Sequence, residues 1–355
     1  MKHYIGIDFH KQFSSVAVMD DKGTIIDERK LFHDQPDEMN GYFAQFKGNA
    51  NVSLEATRNW YWMVDALQEQ GFDVKLVHAK KTRIIAESTI KTDKIDARVL
   101  AHLDRCNFLP EAHIVDKKTR YERELLRYYI SLVKVQTSAK NQIHVILAKH
   151  NIHHNFSDLF GLGGMEFLKT LELPTIFRFK LDGYLELLSK VADILKRAKQ
   201  EIKRHCRAWP EADLLTSAPG IGELTGLMLA AEIADIKRFG CVKKFCCYGG
   251  LASSTRQSAD KTYNGHIIKD SNKYIRYAVL EAVPNAIKKD PRLFRFYSKL
   301  ERTKGRKRAR IAIARKLLVA IYYMLKNRVP YQIAHKSNIH QVNPRLLLGA
   351  VTATL

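Results

Sequence analysis

A chain of 355 residues is too long for one ordinary domain and points to two or three. Hydrophobic residues make up 46%, enough to build real cores, which excludes global disorder. Lysine and arginine number 59 against 37 acids, a formal net charge of +22 that asks for a polyanionic partner: nucleic acid, with an anionic membrane surface as the competitor. No run of about 18 apolar residues is present, which excludes a helix that spans a bilayer. The opening Met1-Lys2-His3-Tyr4-Ile5-Gly6 runs straight into a strand-like segment without a signal-peptide core, so a cytoplasmic protein is expected. The cysteines at 106, 206, 241, 246 and 247 are odd in number and match no disulfide framework. The local cluster Cys241, Cys246, Cys247 lacks the paired spacing of a zinc site and reads as buried free thiols.

In chain order, residues 3–9 (HYIGIDF), 13–20 (FSSVAVMD) and 24–31 (TIIDERKL) read as strands rich in β-branched and aromatic residues, with Asp21-Lys22-Gly23 as a turn. Residues 36–47 look helical, 51–55 extended, 59–70 helical with Trp60, Val64 and Leu67 on one face, and 73–77 extended. A helix-poor stretch follows to Lys91-Thr92, and a helix is expected from Asp93 to about Cys106. Three antiparallel strands followed by alternating strand and helix predict an α/β domain with a mixed sheet, the order of RNase H-like folds, over residues 1–112. Residues 118–150 are helical, with a four-and-three alternation at 125, 129, 132, 136, 139, 143, 146 and 150. The alternation returns at 184, 188, 191, 195, 198 and 202, so 113–208 is expected to be a helical hairpin or coiled coil, its seam closing within the chain or between chains. Residues 209–355 are expected to be a third, mostly helical domain.

Several groups of residues carry chemistry. Asp8 lies in an apolar strand and Glu55 at the end of another, where a carboxylate is costly unless it is paired or binds a metal. Asp93 and Asp96, three apart, share one face of a helix. Four acids on neighbouring elements suit one or two Mg²⁺ ions, or Mn²⁺ in their place, clamping a phosphate. Taken singly, Asp93 reads equally as a helix N-cap and Asp96 as a partner of Arg98 or Lys94. His10 falls on the same strand face as Asp8, yet a lone histidine is more often structural. Trp60 and Trp62 have the flat rings that stack on bases, but at helical spacing they read as core.

Ala218-Pro219-Gly220-Ile221-Gly222 before an apolar helix is a helix-hairpin-helix signature, in which Gly220 and Gly222 let backbone N–H groups approach a phosphate; a plain helix–helix turn is the alternative. Residues 248–258 (YGGLASSTRQS) form a hydroxyl-rich loop with Arg256, Lys269 and Arg276 as candidate phosphate cations. On residue chemistry alone the choice among Ser253, Ser254 and Ser258, and between nucleophile and simple phosphate binding, stays open. Residues 302–316 hold eight basic residues and no acid; Arg306, Lys307, Arg308 and Arg310 in this run are expected to contact phosphate at a helix start.

The order YIGIDFHK, LEATRNWYW, KTDKIDARVLA, APGIGELTG, then YGGLASSTRQS with NKYIRYAVLEA resembles the DEDD insertion-sequence transposases, the bridge-RNA-guided serine recombinases of the IS110 type, over nearly the whole chain. The resemblance implies a RuvC-like N-terminal domain, a coiled-coil middle and a C-terminal transposase domain. It implies that Asp8, Glu55, Asp93 and Asp96 are the metal-holding acids and Ser258 the nucleophile, which forms a covalent phosphoserine link. The implied partners are donor and target duplex DNA and a noncoding guide RNA from the element, with homodimers pairing into tetramers, composite sites, no membrane, and a prokaryotic, nucleoid-associated location. Two positions depart from the pattern: Ser253 stands where the family has proline, and Ala259 where it has glycine after the serine. The remaining readings are a RuvC-like junction nuclease that uses the carboxylates alone and an inactive nucleic-acid-binding relative.

Overall fold

The computed structural model describes residues 2–57, 59–85, 92–207, 209–258 and 261–332; Lys91, Ala259 and the end of the proposed third domain lie outside them. The described residues fall into two compact units, one up to Val115 and one from Asp116.

In the first unit the β-branched segments form β1 (His3–Phe9), β2 (Phe13–Met19) and β3 (Ile25–Phe32). The β2–β3 turn closes because the Asp20 carboxylate accepts from the backbone of Lys22 and Thr24. There follow α1 (Pro36–Ala44), β4 (Ala50–Glu55), α2 (Tyr61–Glu69), β5 (Asp73–Val77), α3 (Ala79–Ile85), α4 (Asp93–Arg105) and β6 (Glu111–Ala112). The six strands lie in the order β3-β2-β1-β4-β5-β6. β1 is antiparallel to β2 and parallel to β4, β5 is parallel to β4, and β3 and β6 are antiparallel to their neighbours. α3 occupies a stretch expected to be helix-poor; its seven residues carry neither an amphipathic period nor an acidic first turn that would have marked it. β6, at two residues, is below what alternation can detect.

The sheet's two faces differ in side-chain size. On one face Ile5, Ile7, Phe9, Val16, Val18, Leu31, Val52 and Leu54 bury against Met39, Tyr42 and Phe43 of α1 and Met63, Val64 and Leu67 of α2. The other face presents Gly6, Ala17 and Ser53, and α4 lies on it. A Cβ at Gly6 would stand 2.0 Å from the Ala97 carbonyl oxygen and 2.6 Å from the Ala101 nitrogen, so the helix backbone rests directly on the strand. Two ion pairs fix α4 along its length. Arg98 donates from Nε and Nη2 to Glu28 of β3 at 2.5 and 2.7 Å. Lys75 of β5 donates at 2.8 Å to Asp104, which is buried.

The second unit opens with the long helix α5 (Lys117–Lys149), then α6 (Leu162–Thr170) and the equally long α7 (Thr175–Arg207). Ala139, Ile143, Ile146 and Leu147 of α5 share one core with Leu181, Leu185 and Leu188 of α7, closed by Leu159 and Leu168. Leu126 and Ile130 share another with Ile202, so the two helices run antiparallel and their apolar seam is filled within the chain. The seam in α7 follows the expected positions from 188 to 202, whereas early α5 buries Leu126 and Ile130 and leaves Leu125 and Tyr129 partly covered. α8 (Pro210–Thr216), α9 (Glu223–Ile233), α10 (Val242–Tyr248), α11 (Lys273–Lys289), α12 (Pro291–Lys304) and α13 (Arg306–Asn327) build the larger core on the same end of the helical hairpin. Between α10 and α11 the hydroxyl-rich segment is not a loop: β7 (Ser253–Ser258) and β8 (Lys261–Ile267) make an antiparallel hairpin.

Gly6→Ala should destabilise the chain by about 2 kcal/mol or more, because backbone on both sides of the new methyl must move. Gly41→Ala, on an exposed position of α1 with nothing near the new Cβ, should be neutral or stabilising by up to about 1 kcal/mol. Urea unfolding of the two variants checks this; equal midpoints would show that α4 does not rest on β1 at Gly6.

Candidate functional site

The close seat of α4 brings its first turn to the carboxyl end of β1. Asp8 is the next-to-last residue of β1, on the α4 face, and its side chain is 14% exposed. The last paired positions of β1 and β4 are Ile7 and Leu54, so Asp8 and Glu55 are the next residues on neighbouring parallel strands and share that face. Thr92 caps α4 by accepting from the Ile95 N–H, which leaves Asp93 and Asp96 within the first turn rather than in the capping position. Arg98 is held by Glu28. His10 Nε2 sits 3.0 Å from Asp8 Oδ2 and 3.4 Å from Asp93 Oδ2. One ligand atom each from Asp8, His10 and Asp93 falls within 4.8 Å of the others, the group of described residues whose spacing suits a metal ion.

The electrostatics point the same way. Burial pushes the Asp8 carboxyl above the ordinary carboxylate range; the charge of His10 opposes this, and the negative charges of Asp96 and Asp93 add to it. An anion disfavoured by desolvation and by two like charges is relieved by a cation placed among them. The carboxylate oxygens of Asp8 and Asp93 are the hard donors that a divalent ion such as Mg²⁺ or Mn²⁺ takes, so they fit the metal that the resemblance implies, with His10 placed between them. His10, which alternation placed on the face of Asp8, does lie against Asp8 and Asp93.

In the second unit the candidates separate. Across the hairpin Ser258 pairs with Lys261 and Arg256 with Tyr263, and alternation puts all four on one exposed face. The Ser254 hydroxyl donates to the His266 carbonyl at 3.1 Å. Lys269 follows β8 at the base of the hairpin, and the Arg276 guanidinium lies against Gly250, also at the base. With about 3.3 Å per residue along β7, both are roughly 15–20 Å from Ser258, so Arg256 and Lys261 are the cations near this hydroxyl.

The hairpin is anchored by a buried acid that sequence reasoning missed. Glu232, 1% exposed in α9, accepts from Arg127 at 2.9 and 3.1 Å and from Asn272 Nδ2 at 2.8 Å. Asn272 also caps α11 through the N–H groups of Tyr274 and Ile275, and its backbone N–H donates to the Tyr248 carbonyl at 2.7 Å, joining the two ends of the hairpin segment. A lone acid in the apolar run LMLAAEI was the available signal.

The turn at 217–222 joins α8 to α9 as expected, but its two glycines differ. A Cβ on Gly220 would lie 2.2 Å from the Ala282 carbonyl of α11, so that glycine serves packing. Gly222 is exposed and caps α9, with nothing near its own would-be Cβ. The basic run divides at Gly305: Arg306, Lys307, Arg308 and Arg310 open α13, all exposed, with no acid in the first turn. Trp60 packs against the first unit's core, and Trp62 lies at its rim against Phe9 and His33. Of the cysteine cluster only Cys246 is buried, and burial pushes its thiol up to about 11; Cys241 and Cys247 are exposed.

Comparison with known proteins agrees over both units. Residues 5–152 match a family described as Transposase, of the DEDD type, and residues 212–298 match the Transposase IS116/IS110/IS902 family. The transposase for insertion sequence element IS1111A of Coxiella burnetii is 24% identical over 354 residues, covering 92% of this chain and 91% of its own. The transposase for insertion sequence element IS1328 of Yersinia enterocolitica is 24% identical over 237 residues, 65% of this chain and 69% of its own.

Asp8 should stabilise the fold when it is replaced. Its folded pKa lies above its unfolded one, so the folded chain binds the proton more tightly and stability falls as pH rises from the ordinary carboxylate range to the raised value. In chelator at pH 7, Asp8→Asn should melt higher than wild type, with the gap closing in acid; added Mg²⁺ or Mn²⁺ should raise the wild type alone. A variant that melts lower in chelator at pH 7 would contradict this.

Proposed function

The chain belongs to the IS110 family of insertion-sequence transposases, enzymes that act on DNA, and we propose that it performs RNA-guided, Mg²⁺-dependent strand cleavage and exchange through a covalent phosphoserine link. The observation that carries the reading is the meeting of Asp8, His10 and Asp93 at the carboxyl ends of parallel strands, with Asp96 and Glu55 beside them. The strand order β3-β2-β1-β4-β5 with a helix across β1 supports an RNase H-like, RuvC-like domain.

Asp8, Glu55, Asp93 and Asp96 are the residues that would hold Mg²⁺ or Mn²⁺. Bound there, the ion supplies the positive charge that neutralises a phosphate undergoing displacement. His10 spans Asp8 and Asp93 and fixes their separation. Ser258 Oγ gives up its proton and attacks phosphorus, an O–P bond forms, and the bond to the departing deoxyribose oxygen breaks as that oxygen takes up a proton; Arg256 and Lys261 on the same hairpin face balance the charge that develops. The family resemblance implies dimers that pair into tetramers with composite sites. The exposed N-terminus of α13 concentrates cations where the helix dipole is already positive, an arrangement that phosphate relieves. The turn at Gly222 gives a second backbone approach to phosphate, in the manner of a helix-hairpin-helix. Base pairing by the guide RNA, rather than side chains, selects the donor and target DNA. Among the described residues no helix is long and apolar enough to cross a membrane.

A covalent trapping assay tests the chemistry: protein, the element's flanking noncoding RNA, Mg²⁺ and labelled donor and target DNA, denatured and resolved on a gel. A protein–DNA adduct should form and vanish in Ser258→Ala, while Asp8→Ala abolishes recombination and both variants keep RNA binding. Cut DNA without an adduct would replace this reading with a carboxylate-only junction nuclease. Replacing Arg306, Lys307, Arg308 and Arg310 together by alanine should reduce the log–log salt slope of nucleic-acid binding by roughly 3 to 4. An unchanged slope would exclude the start of α13 as a phosphate contact.

A further inference from the structure

We propose that Phe32, Phe13 and Lys30 form a shelf that stacks an unpaired base of the DNA strand whose phosphate lies at Asp8, an inference that rests on the carboxylate reading above. Strand register places the shelf. Asp8 is opposite Ser15, Ser15 opposite Lys30, and Phe13 opposite Phe32, so all of them share the face of the sheet on which α4 lies. α4 covers that face at Gly6 and Ala17 and begins at Asp93, level with Asp8 and His10. Further along the same face come the two phenylalanines, Phe13 on β2 and Phe32 on the edge strand β3.

These rings are not core. Neither Phe13 nor Phe32 packs into the hydrophobic cluster of the first unit, and Phe32 is 45% exposed. They form a continuous aromatic path from the carboxylates: the His10 ring is 4.6 Å from that of Phe13, and Phe13 is 6.3 Å from Phe32. Lys30 Nζ stands 3.7 Å from the Phe13 centroid and 5.3 Å from that of Phe32, and this lysine is exposed. Lys30 covers a face of Phe13, so the exposed Phe32 ring is the one that takes the base, with the ammonium close by for its phosphate. His10 touches both Asp8 and the first ring, so the stacked base belongs to the nucleotide next to the reacting phosphate. Taking that base out of its stack bares the phosphate between it and its neighbour.

The test uses the full chain and a single-stranded oligodeoxynucleotide containing 2-aminopurine, beside the same oligonucleotide with abasic residues and an RNA of the same sequence. Wild type should quench 2-aminopurine and bind the abasic strand roughly tenfold more weakly. Phe32→Leu should lose that preference, Phe32→Trp should keep it, and Lys30→Gln should weaken both strands alike. Because Phe32 lies outside the core, Phe32→Leu should melt with wild type, which separates stacking from folding. Equal binding of intact and abasic DNA by wild type, retention of the preference in Phe32→Leu, a stronger preference for RNA, or no binding of DNA would each overturn the shelf. DNA cleavage by Asp8→Ala is read separately: cutting that survives would remove the carboxylate reading, whereas a lost shelf with Asp8-dependent cutting removes the shelf alone.

Discussion

The first unit is organised around a contact with no side chain in it. At Gly6 the backbone of α4 rests on the backbone of β1, and everything that gathers at Asp8 follows from that closeness. A helix normally stands about 10 Å off a sheet, held away by the side chains between them. Here glycine, alanine and serine on three adjacent strands remove that spacer over a narrow strip. The result is that two carboxylates in a helix's first turn come within reach of one in a strand, an arrangement their mutual repulsion opposes. The apolar packing of the sheet's other face, together with the Arg98–Glu28 and Lys75–Asp104 pairs, offsets that repulsion.

The second unit solves a different problem, that of holding an exposed hairpin that has no core of its own. β7 and β8 are exposed along most of their length, so their position is set at the base alone. Glu232, Arg127 and Asn272 supply that base with charge-assisted hydrogen bonds in a dry environment, where each is stronger than at the surface. The same network ties α5 to α9 and α11 and so fixes the root of the long antiparallel hairpin of α5 and α7. Anchoring at one end leaves Ser258 and Lys261, the last described pair of the hairpin, exposed.

Charge divides between the units in a matching way. Three acids converge at one place in the first unit, while exposed cations of the second unit gather, among other places, at the start of α13 and on the serine hairpin.

The sequence by itself determined the elements that depend on local pattern. Alternation marked the first five strands, the four-and-three repeat marked both long helices, and the spacing of Asp93 and Asp96 put them on one helical face before any fold was known. Net charge and motif order were sufficient for the family. What only the tertiary structure decided are relations through space, which no local period encodes. The approach of α4 to β1 made His10 a partner of Asp8 and Asp93. The packing of α11 turned Gly220 inward and left Gly222 outside. The extended hairpin carried Ser258 away from Arg276 and Lys269, which stand near it only along the chain. In each case the deciding distance lies between segments far apart in sequence, and it is set by which side chains are small enough, or buried enough, to let those segments meet.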